Sequence, residues 1–167
     1  KNSASKLFYH NAPRYFLRFT EKPPYFWSEQ KGEEISVHVK NIFMAKENVL
    51  KIEALLNSNL FYFWFIVFSN CRDLVLREIE NFPAGLSQFN TSEESEISSV
   101  VKRLTKDYEK NVYRKECFYK ATGKVVYDEY YPKLSTPIID EIDKVLAKHY
   151  GFTEEELDFI INYDIKN

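Results

Sequence analysis

Between Asn57 and Asn70 the chain reads NSNLFYFWFIVFSN, an unbroken apolar and aromatic run from Leu60 to Phe68 held between small polar residues. The run is about half of the roughly 18 to 20 residues that a helix needs to cross the hydrocarbon core, so it is not a membrane span. A buried strand and a helix covered on most sides both remain, and so short a run does not separate them by periodicity. The residues before it do. ENVLKIEALLNSNLFYFWFIVF places Val49, Ile52, Leu55 or Leu56, Asn59 or Leu60, and Phe63 near the i, i+3, i+4 spacing, with neither Gly nor Pro. The pattern predicts one helix over about 48–68. Its second half is apolar all round, which requires burial on several sides, in this chain's core or against a neighbouring domain. The small Asn57 and Ser58 leave room for another backbone to approach at mid-helix.

At 167 residues the chain has the size of one domain, enough to bury about 70% of its extended-chain surface. Cys71 and Cys117 lack CxxC spacing and a nearby histidine pair, which argues against zinc and for a reducing compartment. The opening KNSASKLFYH has no apolar export segment. Because it begins with Lys, a piece of a longer protein is expected. Net charge is −2, yet residues 1–77 carry eleven Lys or Arg against six Glu and one Asp, while residues 78–167 carry twelve against eighteen acids. The basic half suits an anionic partner, although an ordinary solvated surface has the same count.

The first forty-five residues read as three strands: KLFYH, RYFLRFT and EISVHVKNIFMA, the last with Ile35, Val37 and Val39 on one face and Ser36, His38 and Lys40 on the other. EKPPYFWSEQKGEE, with Pro23-Pro24 and Gly32, reads as a long surface loop carrying exposed aromatics. After the helix come a turn (SNCRDL), a short strand or helical turn (VLREIENFP) and a polar loop. Thr91 or Ser92 caps a helix whose apolar positions are Ile97, Val100, Val101, Leu104 and Tyr108. GKVVYDEYY is a strand. Thr136-Pro137 opens a helix ending at Gly151, and Thr153 with Glu156 forms a capping box for the last one. The expected class is α+β: amino-terminal strands with a long buried helix, then a mainly helical carboxy-terminal part. The expected division is 1–90 and 91–167, the second part with one strand near 124–131 and packed on the same core.

Catalytic chemistry finds little footing. KPPYF resembles the Asn-Pro-Pro-Tyr signature with which N6-adenine methyltransferases hold the target amino group, but Lys22 stands at the Asn position and cannot accept that hydrogen bond. No Gly-rich loop follows a strand. Glu29-Gln30-Lys31 has nuclease-like spacing, yet no Asp occurs before Asp73. His10, His38 and His149 fall in separate elements. Neither a catalytic residue nor a metal or cofactor site is expected. What remains is the basic, aromatic first half, where Arg14, Arg18, Lys22, His38 and Lys40 interleave with Tyr15, Phe16, Phe19, Tyr25, Phe26 and Trp27. That mixture suits phosphate contact with stacking or base-edge readout; a strand with one wet face is the other reading.

LNSNLFYFWFIVFSNCRDLVLREIENFP resembles a segment of the target recognition domains attached to N6-adenine methylases of restriction-modification enzymes, the TaqI-like C-terminal specificity domain group. Its marks are Leu56-Asn57-Ser58, the aromatic stretch, the turn Ser69-Asn70-Cys71-Arg72-Asp73-Leu74, and Glu78-Ile79 with Phe82-Pro83. The group's turn carries a Gly where this chain has Cys71, a residue that tolerates positive φ poorly. APRYFLRF with PPYF resembles the entry to such domains, and LAKHYGFTEEELDFIINYDIKN the tail of their long members. The resemblance implies a module that reads double-stranded DNA for a methyltransferase domain of the same polypeptide, in the cytoplasm of a bacterium or archaeon. S-adenosylmethionine, and Mg where an endonuclease is fused, belong to that parent enzyme and not to this piece. The expected DNA-binding set is Arg14, Arg18, Lys22, His38, Lys40 and Arg72, with Arg14 and Arg18 four residues apart on one strand face as the guanine readers. A scaffold domain that docks the methylase is the alternative.

Overall fold

The computed structural model describes residues 4–13 and 16–163. Its architecture is α+β, with two antiparallel sheets flanking a helical layer. Strand β1 (Ala4–His10) is central in a three-stranded sheet, with β2 (Phe19–Thr20) on one edge and β5 (Val39–Ala45) on the other. Alternation puts Leu7, Tyr9, Phe19 and Ile42 on the inner face, where all four are buried. They pack on α1 (Val49–Asn57) and α2 (Asn59–Phe68), with α3 (Leu76–Glu80) beside them. Helices α4 (Thr91–Lys110) and α5 (Thr136–Tyr150) close the far side of the same buried cluster, and α6 (Glu154–Asn162) covers α2.

The expected single helix is two. Ser58 is extended (φ −75°, ψ 156°), and its hydroxyl accepts from the Phe61 amide, capping α2. The amides that open α2 are satisfied by a carboxylate from α5: Asp143 accepts from Asn59 N (3.2 Å), Asn59 Nδ2 (2.6 Å) and Leu60 N (3.1 Å). A buried helix start needs such acceptors, and the anion also suits the dipole. Burial nevertheless pushes Asp143 up to about 6, against those hydrogen bonds. Nor is the aromatic run buried all round. Phe61 and Phe65 are interior, Tyr62, Phe63 and Trp64 are half-buried, and Val67 and Phe68 face solvent.

Three further expectations change. EISVHVKNIFMA is a strand only from Val39 onward: the Ser36 carbonyl accepts from Val39 N, its hydroxyl accepts from His38 N, and Val37 ends 73% exposed in the resulting turn. The 21–34 segment is not a loop but a hairpin, β3 (Phe26–Ser28) and β4 (Gly32–Glu33), turned at Gly32 with φ 75°. It joins β7 (Gly123–Glu129) in a second sheet ordered β4-β3-β7-β6, whose edge strand β6 (Tyr113–Tyr119) was not anticipated. Only Ser28 and Val125 of its described strand residues are buried, so this sheet stands off the main core.

Helix α4 carries its expected apolar stripe, all five positions buried. Its cap lies one residue earlier than expected, a capping box between Asn90 and Glu93. The Thr153–Glu156 box and the Gly151 stop (φ 70°) stand where the sequence puts them.

Candidate nucleic-acid interface

Residues 4–20 and 35–46 contain no Asp or Glu, so all three strands of the β2-β1-β5 sheet are free of carboxylates. The β1–β5 register pairs Lys6 with Phe43, Phe8 with Asn41 and His10 with Val39 on the outer face, away from the core. Lys6 Nζ sits 5.0 Å from the centre of the Phe43 ring, which is 65% exposed. At the end of this sheet the His10 and His38 rings stack with centroids 5.7 Å apart. Lys40 belongs to the inner-face register, but at the strand's end it is exposed, donating from Nζ to the Val37 carbonyl (2.9 Å).

The turn bearing Arg72 is tied to the same end. Asn11 N donates to the His38 carbonyl (3.0 Å), and Leu74 N donates to the Asn11 carbonyl (2.8 Å). Asn70 Oδ1 accepts from Arg72 N and Asp73 N, and Cys71 takes φ 56°, the one positive-φ non-Gly position among the described residues. Arg72 is exposed, its Nε 3.5 Å from Asp73. His38, Lys40 and the turn that carries Arg72 thus lie at the same end of the sheet.

Arg18 and Lys22 lie elsewhere. β2 begins only at Phe19, so Arg18 precedes the strand. Arg14 lies outside the described residues, and their expected common strand face is not realised at Arg18. Arg18 instead enters a cleft of about 790 Å³ between the helical layer and the second sheet. There its guanidinium lies 3.7 Å from the centre of the Tyr130 ring and donates from Nη1 to Thr20 Oγ1 (2.9 Å). Burial pulls its pKa down, opposed by nearby Tyr130, Tyr108, Asp128 and Glu53. Lys22 is exposed at the mouth, its carbonyl accepting from Thr20 Oγ1 (2.8 Å).

This cleft is acidic: Glu21, Glu33, Glu34, Glu53, Glu109 and Asp128 line it against Arg18 and Lys22. Glu53, 3% exposed, has one oxygen 3.4 Å from the Thr105 hydroxyl. Burial, with the Glu21 charge second, pushes its carboxyl up to about 8, and Thr105 and Arg18 oppose that. Asp128 is held bidentately by Arg114 (2.6 and 3.1 Å), whose guanidinium covers Tyr25 at 3.9 Å. Below them Asn57 joins cleft to sheet. Its Oδ1 accepts from Phe19 N and Tyr108 OH, and its Nδ2 donates to the carbonyls of Phe19 and Glu53. This is the backbone approach expected at mid-helix. Burial raises the Tyr108 phenol above its ordinary value.

Sequence reasoning passed over Lys6, Phe43, Glu53 and Arg114. The carboxylate-free segments were a legible pointer to the first two; the other two are partnered across the fold and left no local signal. Among the described residues no group of three or more His, Cys, Asp or Glu could hold a metal ion, and no helix is long and apolar enough to cross a membrane. Comparison with family models, curated proteins and solved structures finds no match to this chain.

Proposed function

We propose that this chain is a DNA-reading module that positions an N6-adenine methyltransferase domain of the same polypeptide, with or without a fused endonuclease, on its site in the cytoplasm of a bacterium or archaeon. The observation that carries the reading is the carboxylate-free sheet, with Lys6, Phe8, His10, Asn41 and Phe43 on its outer face and His38, Lys40 and Arg72 gathered at its end. Lys6 and Lys40 meet phosphate without competition from acids of their own strands, Arg72 does so beside Asp73, and exposed rings add stacking surface. Catalysis and S-adenosylmethionine belong to the companion domain. Fluorescence anisotropy with a short duplex tests the reading. Binding falls steeply from about 50 to 200 mM salt, and each of Lys6→Ala, Lys40→Ala and Arg72→Ala flattens the slope by about one unit. Duplex binding that is absent at low salt, or indifferent to salt, overturns it.

One observation favours the scaffold alternative. Val67, Phe68, Val75 and Leu76 are exposed around the end of α2 and the start of α3, with Phe68 against Trp64 at 4.1 Å. If DNA binding fails while the charge-introducing changes Phe68→Asp and Leu76→Asp abolish association with the methylase domain, docking is the function.

A further inference from the structure

The cleft beside the second sheet is unlike the proposed phosphate-binding face, and it has the features of a small-molecule site. Its volume of about 790 Å³ lies within the roughly 300 to 1,000 Å³ of ligand pockets. Pro23, Pro24, Tyr25 and Phe26 supply flat apolar wall. Two polar groups converge inside it. The hydrogen bond Arg18 makes among the described residues is from Nη1 to Thr20, which leaves most of its five N–H donors unused. Glu53, almost wholly buried, has the Thr105 hydroxyl, 3.4 Å from one carboxyl oxygen, as its side-chain hydrogen-bond partner among the described residues. The two lie close enough that each influences the other's ionisation.

Charge narrows the occupant. Glu21, Glu33, Glu34 and Glu109 around Arg18 oppose a phosphate, and Arg18 opposes a cation. A neutral, planar group remains, one that accepts from a guanidinium along one edge and offers N–H groups to a carboxylate along the next. Guanine has both: O6 and N7 accept along its major-groove edge, while N1–H and the 2-amino group donate along the adjoining pairing edge. Adenine turns its amino group toward the arginine and lacks the N1–H.

We propose that this cleft binds a single unstacked guanine base, held by Arg18 at O6 and N7 and by Glu53, as the carboxylate that the incoming N–H groups stabilise, at N1–H and the 2-amino group, with Pro23-Pro24 and Tyr25 against its face. The inference rests on the DNA-reading module above, since in a duplex the base must leave the stack to enter, at a cost of a few kcal/mol.

Nucleosides without phosphate make the test, titrated into the full chain and followed by backbone and side-chain NMR. Guanosine and inosine shift the Arg18 and Tyr130 signals and bind at least about tenfold more tightly than adenosine, cytidine or thymidine. Arg18→Met and Glu53→Gln each abolish that preference, and Arg18→Lys, which loses the fork, restores little of it. Each variant is first shown to melt cooperatively. If Arg18→Met fails to fold, Glu53→Gln alone decides. Absence of nucleoside binding at millimolar concentration, equal binding of all nucleosides, or binding of inorganic phosphate in their place overturns the inference. If the nucleoside preference fails while duplex binding persists with its salt dependence, the cleft assignment falls and the DNA module stands; loss of both removes both.

Discussion

The carboxylate-free sheet and the acid-lined cleft draw cations from the same first forty-five residues and put them in opposite surroundings. On the sheet, Lys6 and Lys40 are exposed, meet a ring and a carbonyl, and have no acid on their own strands. In the cleft, Arg18 is withdrawn among Tyr130, Thr20 and carboxylates contributed by α1, α4 and β7. A basic residue therefore advertises phosphate binding only once the elements packed around it are known. An exposed ammonium in the first setting attracts polyanions, whereas a desolvated guanidinium in the second is placed to hydrogen-bond one edge of one ligand.

The largest expected effect is on the cleft's buried acid. Below about pH 4.5 Glu53 is protonated whether the chain is folded or not. Between there and about 8 the unfolded state ionises while the folded state keeps its proton. Stability therefore falls as pH rises through that window, by roughly 4 kcal/mol in all. Glu53→Gln removes the slope between about pH 6 and 8, leaving below it the part due to Asp143, which burial raises to about 6, and is more stable than the parent at pH 8. Urea titrations of both proteins from pH 5 to 8 check this, and parallel curves would place Glu53 in water and dissolve the contrast between cleft and sheet.

Next comes the joint between the regions. Asn57→Ala strips partners from the Phe19 amide and carbonyl and from Tyr108, and unsatisfied buried groups cost about 1–3 kcal/mol each. We expect a loss of about 3 kcal/mol in urea unfolding. An unchanged midpoint would mean that β2 is not held through this side chain.

A smaller effect separates the regions by charge. Lys6→Ala and Lys40→Ala together should weaken duplex binding about tenfold at low salt and flatten the salt slope by about two units. Glu33→Gln and Glu109→Gln, which remove only cleft acids, should leave the slope as it was. If the cleft variants change the slope and the sheet variants do not, the phosphate path runs through the cleft. The smallest effect is at the Arg72 turn. A left-handed residue other than Gly costs about 1–2 kcal/mol, so Cys71→Gly should raise stability by about 1 kcal/mol, less what Gly's looser unfolded chain returns. Thermal melts read the difference.

Much of the fold was legible because its signals are local. The stripe Ile97, Val100, Val101, Leu104, Tyr108, the Thr153–Glu156 box and the Gly151 stop are set by residues within a turn or two of one another. The outer elements of the second sheet were not legible. β6 carries Arg114, Lys115 and Glu116 in sequence and Tyr113, Phe118 and Tyr119 exposed at a sheet edge, so no apolar alternation marks it. The 21–34 hairpin reads as a loop until Phe26 pairs with Tyr127 and Trp27 with Val126.

By itself, then, the sequence determined the α+β class, the helices after Asn90 and the absence of acids from three strands, because periodicity, capping and composition act within a few residues. Tertiary structure decided three things. Asp143, 84 residues from Asn59, stabilises the helix start that follows the break at Ser58. A strand near residue 125 recruits the Pro-Pro segment into a sheet. Arg18, which the sequence grouped with Lys40 on a phosphate-facing strand, is withdrawn into an acidic cleft because Glu53, Glu109 and Asp128 arrive there from three other elements. Long-range pairing and desolvation depend on which surfaces meet, and that information does not lie at any one position along the chain.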